Sequence, residues 1–93
     1  MTGKQRAALR KLAQPLQCVV YIGKEGLTDS LVASVDQVLE ARELIKCSVQ
    51  QNCEYTAREA SDELCSLLGA EGIACAGRKF VIYRKSEKNI LNQ

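Results

Sequence analysis

The stretch Val19-Val20-Tyr21-Ile22-Gly23-Lys24-Glu25-Gly26-Leu27-Thr28-Asp29 decides how the rest of the chain is read. The β-branched and aromatic residues 19–22 predict a short strand. Gly23 and Gly26 bound a loop whose backbone can take positive φ or admit another backbone closely. Thr28 predicts the N-cap of a following helix, with Asp29 in its first turn, where the helix dipole favours an acid. Free amide hydrogens at that helix start, beside Lys24, would form a small site for a phosphate. A tight strand-to-helix connection whose glycines only satisfy geometry explains the same residues, and a lone GxxG does not choose between the two.

Around this stretch lie 93 residues, the size of one domain with a single two-layer core. No apolar run is long enough to cross a membrane, and residues 1–6 are charged without a following signal core, so a cytoplasmic protein is expected. The net charge of +2 hides an uneven distribution. Residues 1–24 carry +5, residues 25–75 carry −7 and residues 76–93 carry +4. A fold that brings the two ends together would make a basic patch able to meet a polyanion. The five cysteines, Cys18, Cys47, Cys53, Cys65 and Cys75, are odd in number and form no CxxC pair. Lying in or beside apolar stretches, they are read as reduced, mostly packed thiols, with no metal or cofactor expected.

Residues 4–14 predict a helix ended by Pro15, with Leu9, Leu12, Ala13 and Leu16 on its apolar stripe. Lys4 and Lys11 flank that stripe on one side, Arg6 and Arg10 on the other. This helix would dock while presenting cations, although such a ring also suits a plain solvated face. Residues 17–22 form the first strand. A second helix over residues 29–42 would bury Leu31, Val35, Val38 and Leu39. Residues 43–50 alternate Ile45, Cys47 and Val49 with Lys46, Ser48 and Gln50, the period of a strand with one drier face. Lys46 points to the wetter face, where a solvated lysine and a polyanion contact fit equally well. Asn52 is expected to cap a third helix over residues 54–68, closed by Gly69. Its stripe is Ala57, Ala60, Leu64, Leu67 and Leu68, and its outer face Glu54, Glu59, Asp62 and Glu63.

Residues 73–76 and 80–83 read as two strands joined by a turn with Gly77 first, which puts Arg78 and Lys79 at the tip. Tyr21, Phe80 and Tyr83 lie in apolar strands and are assigned to the core. After Lys85 the chain turns polar, and residues 86–93 are expected to fray. The order is therefore α-β-α-β-α-β-β, a compact layered α/β fold over residues 1–85 with a four-stranded mixed sheet. Two strand–helix–strand steps predict parallel neighbours, and the hairpin adds an antiparallel pair.

Catalysis is not expected. The chain has no histidine, so triads and histidine–metal sites cannot be built. Glu40 and Glu43 look like surface acids at a helix end. Cys18 is the one mild candidate for a nucleophile, and the glycine loop lacks the GK[ST] ending of a P-loop.

The residues taken together resemble the YhbY family, the bacterial stand-alone form of the CRM (chloroplast RNA splicing and ribosome maturation) domain. Thr2-Gly3-Lys4-Gln5-Arg6 and Leu9-Arg10-Lys11-Leu12-Ala13 open the first helix, and Pro15-Leu16 breaks it. Val20-Tyr21-Ile22-Gly23-Lys24-Glu25-Gly26-Leu27-Thr28 supplies the strand and GxxG loop. Glu40-Ala41-Arg42-Glu43-Leu44-Ile45-Lys46-Cys47 leads into the second strand, and Phe80-Val81-Ile82-Tyr83-Arg84 forms the last. The resemblance spans residues 2–85 and implies a fold similar to the C-terminal domain of a bacterial translation initiation factor. It also implies RNA binding, in bacteria to 23S ribosomal RNA in large-subunit (pre-50S) precursors during assembly. On that basis Gly23, Lys24, Glu25 and Gly26 would meet the sugar-phosphate backbone, with Lys24 as a point charge. Lys4, Arg6, Arg10 and Lys11 would supply a basic helix face, and Arg42 and Lys46 the ground between. Arg78, Lys79 and Arg84 would join only if the strand order brings them near. Such contacts position RNA without reading its sequence. The competing expectation is a protein-interaction module whose acidic third-helix face, Glu54, Glu59, Asp62 and Glu63, holds a basic ribosomal partner. A monomer is expected for so small a chain.

Overall fold

The computed structural model describes residues 2–86. Each of its three helices starts on a threonine whose hydroxyl accepts the amide hydrogen of the third helical residue. Helix α1 (Gly3–Ala13) follows Thr2, α2 (Asp29–Arg42) follows Thr28, and α3 (Ala57–Leu68) follows Thr56. In α1 and α3 the cap is reciprocal, with Gln5 and Glu59 reaching back to the threonine amide. Two amide hydrogens are thus satisfied by one pair of side chains. This corrects the expected start of α3. Thr56 and Glu59 together serve two donors where Asn52 would serve one, so residues 51–55 stay outside the helix. Gly69 closes α3 in the left-handed conformation, as expected.

The strands are β1 (Cys18–Ile22), β2 (Leu44–Val49), β3 (Glu71–Ala76) and β4 (Lys79–Tyr83), in the sheet order β1-β2-β4-β3. β1 and β2 are parallel neighbours, and β4 is antiparallel to both β2 and β3. β2 and β3 also run parallel, but they are not neighbours as the strand–helix–strand pattern suggested, because β4 lies between them. The apolar content of the hairpin explains the insertion. Phe80 and Ile82 of β4 are fully buried, whereas β3 buries only Ile73 among its hydrophobic residues. The strand with more apolar surface to hide takes the central place.

Helices α2 and α3 cover one face of the sheet around Ile22, Val35, Leu39, Ile45, Leu64 and Phe80. Burial of each such side chain contributes about 1.5–3 kcal/mol, which makes this the main core. Helix α1 lies on the opposite face over a smaller cluster of Ala13, Leu44, Ile73 and Val81. Only a narrow strip of α1 touches the sheet. Leu9 packs beside Ala13, but Leu12 and Leu16, assigned to the stripe, stay open at 54% and 36% exposure. Leu16 lies beyond the end of α1 and so leaves its period. Leu67 of α3 is likewise exposed rather than inward.

Glu43 is a second correction. It makes the one-residue turn from α2 into β2 at φ 65°, ψ −52°, and it is buried, not a surface acid. Its carboxylate accepts the Ser86 amide at 2.9 Å and the Ser86 hydroxyl at 2.6 Å. Ser86 is therefore buried too, not frayed; residues 87–93 of the expected tail lie outside the described residues.

All five thiols are free; Cys47 is buried, Cys18, Cys53 and Cys65 are half-buried, and Cys75 is exposed on the edge strand rather than packed. Burial pushes the Cys47 thiol up to about 12, with Cys18 and Cys65 adding to the rise. Because its folded pKa lies above the unfolded value of 9.0, the stability this thiol confers is complete below pH 9 and is lost as pH rises towards 12. The stability difference between wild type and Cys47→Ala should therefore shrink by about 1.4 kcal/mol per pH unit across that window. Alkaline unfolding curves check this, and a constant difference would contradict it.

Candidate nucleic-acid interface

The glycine loop is a closed turn. The Gly26 amide donates to the Gly23 carbonyl at 3.0 Å, leaving Lys24 and Glu25 at the exposed corners. Gly26 sits at φ 71°, and a Cβ there would stand 2.9 Å from Tyr55 Cε2. Both the backbone and the ring of Tyr55 therefore demand glycine. Gly26→Ala is expected to cost about 1–3 kcal/mol through left-handed strain alone, with the ring contact added. A thermal melt measures it. Gly23 is less constrained, since its Cβ would meet only the end of the Gln50 side chain, at 3.1 Å.

A shallow hollow of about 410 Å³ opens against this turn, walled by Thr28, Gln50 and Asn52. Thr28 Oγ1 takes the Leu31 amide, which leaves the amides of Asp29 and Ser30 as the open donors that a helix start must have. The turn alone is not strongly positive, because Lys24 is opposed by Glu25 and Asp29. Cations in number come from the α1 side of the sheet.

On that side, Lys4 and Lys11 lie seven residues apart on the outward face of α1, the face opposite Ala13. Arg10 looks along the sheet, where it rims a cleft with Lys46 and Lys79. Lys46 Nζ also donates to the Gln14 carbonyl at 3.4 Å, which ties β2 to the end of α1. Arg42 and Lys46 border the next hollow, beside Pro15 and Leu16. Arg6 is engaged at the sheet edge: its Nε donates to the Gly72 carbonyl at 3.1 Å and its Nη2 lies 3.8 Å from Glu71. Arg78 stands at the hairpin turn, at the same end of the sheet as the glycine loop, and Gln50 borders both.

Arg84 belongs elsewhere. It donates to Asp36 Oδ1 at 2.6 Å, Asp36 O at 3.1 Å, Leu68 O at 3.1 Å and Glu40 Oε2 at 3.3 Å, joining the end of β4 to α2 and α3. Those are fold contacts on the far side of the sheet from α1. The acidic surface expected on α3 is also reduced. Glu54 precedes the helix, Glu59 caps it, and Asp62 lies 3.9 Å from Arg58, so the four acids do not form one open face.

One residue of interest was assigned to the core and is not there. Tyr21 is 58% exposed, on the same sheet face as Lys46, while Phe80 is buried and Tyr83 half-buried as expected. The four-residue run Val-Val-Tyr-Ile is apolar on both faces, so alternation alone did not show which face stays wet. The polar residues opposite it on β2 carried the missing signal.

Among the described residues no cluster of three or more metal-ligating side chains occurs, and no helix is long and apolar enough to cross a membrane. Comparison with known proteins adds an independent finding. The model of the CRS1 / YhbY (CRM) domain matches residues 1–84. The chain is 36% identical over 89 residues to the Bacillus subtilis protein named "Probable RNA-binding protein YqeI", covering 96% of this chain and 93% of that one. It is 31% identical over 88 residues to a Haemophilus influenzae protein named "RNA-binding protein", covering 95% and 89%. The solution structure of SAV1595 from Staphylococcus aureus superposes with a TM-score of 0.72 at 36% identity, covering 96% of this chain and 93% of that one.

Proposed function

The chain belongs to the CRS1 / YhbY (CRM) domain family, and from that premise we propose that it is a non-enzymatic RNA-binding protein. Its RNA is 23S ribosomal RNA in large-subunit precursors, and its role is in their assembly. The observation that carries the binding surface is the gathering of cations on the α1 side of the sheet. Lys4, Arg10, Lys11, Lys46 and Lys79 lie there, with Glu71 already beside Arg6. On the α2 and α3 side the cations Arg58 and Arg84 already face Asp62, Asp36 and Glu40. A polyanion is thus drawn to the α1 face. Lys24 adds a cation at the glycine turn, at the end of β1, and the turn lets a sugar-phosphate chain approach backbone closely. Names of relatives that carry the words RNA-binding support the same partner.

Neutralising six phosphates would give a slope of log affinity against log salt of about −4 to −5. Titration of large-subunit RNA fragments at two salt concentrations measures this, and a flat response would reject phosphate-led binding. Co-sedimentation with pre-50S particles in preference to mature subunits tests the assembly role. Equal association with both would leave RNA binding standing and remove that role.

A further inference from the structure

Tyr21 is the start of a row that crosses the whole sheet. It stands opposite Ser48 on β2, Ser48 opposite Lys79 on β4, and Lys79 opposite Ala76 on β3. The four side chains therefore share one face, the face that α1 covers only in part. Helix α1 sits over the neighbouring rows through Ala13, Leu44, Ile73 and Val81. It leaves this row open: Tyr21, Lys79 and Ala76 are exposed and Ser48 is half-buried. The Tyr21 hydroxyl reaches back to the Cys18 carbonyl at 3.3 Å, so the ring leans along β1 with most of its surface in solvent. At the other end of the row, a cleft of about 270 Å³ runs between α1 and β3–β4. Ala13, Ala74 and Ala76 form its apolar floor, and Arg10, Lys46 and Lys79 its rim.

An open aromatic ring and an apolar cleft favour flat, weakly hydrated groups, whereas the three cations favour phosphates attached to them. A nucleic acid with its bases turned out of a helix offers both together, repeated along a row that crosses four strands. The cleft lies just below the roughly 300–1,000 Å³ of sites for drug-sized ligands, which suits a single base. Tyr21 and Ala76 are three strand spacings apart, about 14 Å, which leaves room for a second base between ring and cleft. We propose that this strip of the sheet is a platform for unpaired nucleotides, where one base stacks on Tyr21, a neighbouring base enters the cleft, and their phosphates meet Lys46, Lys79 and Arg10. The platform rests on the RNA-binding reading above and adds to it a preference for single-stranded over duplex segments.

Three RNA probes of equal phosphate count test it: an adenosine 12-mer, the same ribose-phosphate chain without bases, and a blunt duplex. Wild type is expected to bind the 12-mer about tenfold or more tighter than the abasic chain, within what one stacked base contributes. The duplex should fall with the abasic chain. Tyrosine emission, read without interference because the chain has no tryptophan, should be quenched by the 12-mer alone. Tyr21→Ala should cut the preference severalfold and leave abasic affinity unchanged, and Tyr21→Phe should keep it in full. Since the ring is largely exposed, neither change threatens the fold, and a melt confirms this. Equal binding of 12-mer and abasic chain, or a preference undiminished by Tyr21→Ala, overturns the platform but not the phosphate-led reading. No binding of any probe overturns both.

Discussion

Reversing Lys24 and Arg10 together, as Lys24→Glu with Arg10→Glu, is expected to weaken binding to large-subunit RNA fragments about a hundredfold at low salt. Two charge-assisted contacts to phosphate contribute about 1.5–3 kcal/mol each at full strength, and exposed ones less, so a combined loss near 3 kcal/mol is the reasonable scale. The salt slope should become shallower by about 1.4–1.8, since two fewer counterions are released. Both residues are exposed, and neither makes an ion pair among the described residues, so the fold should tolerate the change. The glutamate at position 10 does sit in the last turn of α1, where the dipole disfavours an acid by about 0.3–1 kcal/mol. A melt of the double mutant therefore accompanies the titration. Lys24 and Arg10 are paired in one experiment because they lie on different elements, the glycine turn and α1. An unchanged affinity would reject both elements at once and move the site to the hairpin, where Arg78 and Lys79 stand.

Much of this arrangement was legible from local signals because each element carries its own. Thr28 with Asp29, the alternation of residues 45–49 and Gly69 each act within a few residues of themselves, and the helices and strands formed there. What local signals do not contain is which element covers which. The insertion of β4 between β2 and β3 depends on the total apolar surface of Phe80 and Ile82, which only the assembled sheet can compare. Gly26 was legible as a turn residue, but the ring that excludes a side chain there belongs to Tyr55, brought alongside by the turn before α3. Glu43 looked like a surface acid because a lone carboxylate at a helix end usually is one. Its burial follows from the single-residue connection between α2 and β2, which aims it at Ser86. Tyr21 was misplaced for the opposite reason: a strand residue that looks apolar enough for the core lies beyond the reach of α1.

Arg84 separates a structural cation from a binding one. Arg84→Met is expected to destabilise the protein by about 2–3 kcal/mol while leaving RNA affinity unchanged in the folded protein. Its guanidinium satisfies the carbonyl of Leu68, one of the last-turn acceptors that α3 cannot pair internally, and adds a bond to the carbonyl of Asp36, which α2 already pairs within itself. The carboxylates of Asp36 and Glu40 are about half exposed, so their ion pairs add less than their short distances suggest. Most of the loss should therefore come from the Leu68 acceptor and from the packing of the largely buried guanidinium between α2 and α3, and Arg84→Lys should recover little of it, because one ammonium cannot span sites that a planar fork reaches together. For a domain of this size the melting temperature should fall by about 8–24 °C. The two variants then form a crossed pair: the Lys24 and Arg10 reversal lowers affinity at nearly constant stability, and Arg84→Met lowers stability at constant affinity. An Arg84→Met protein that melts normally but binds RNA poorly would place this arginine on the binding face, against the contacts that hold it between α2 and α3.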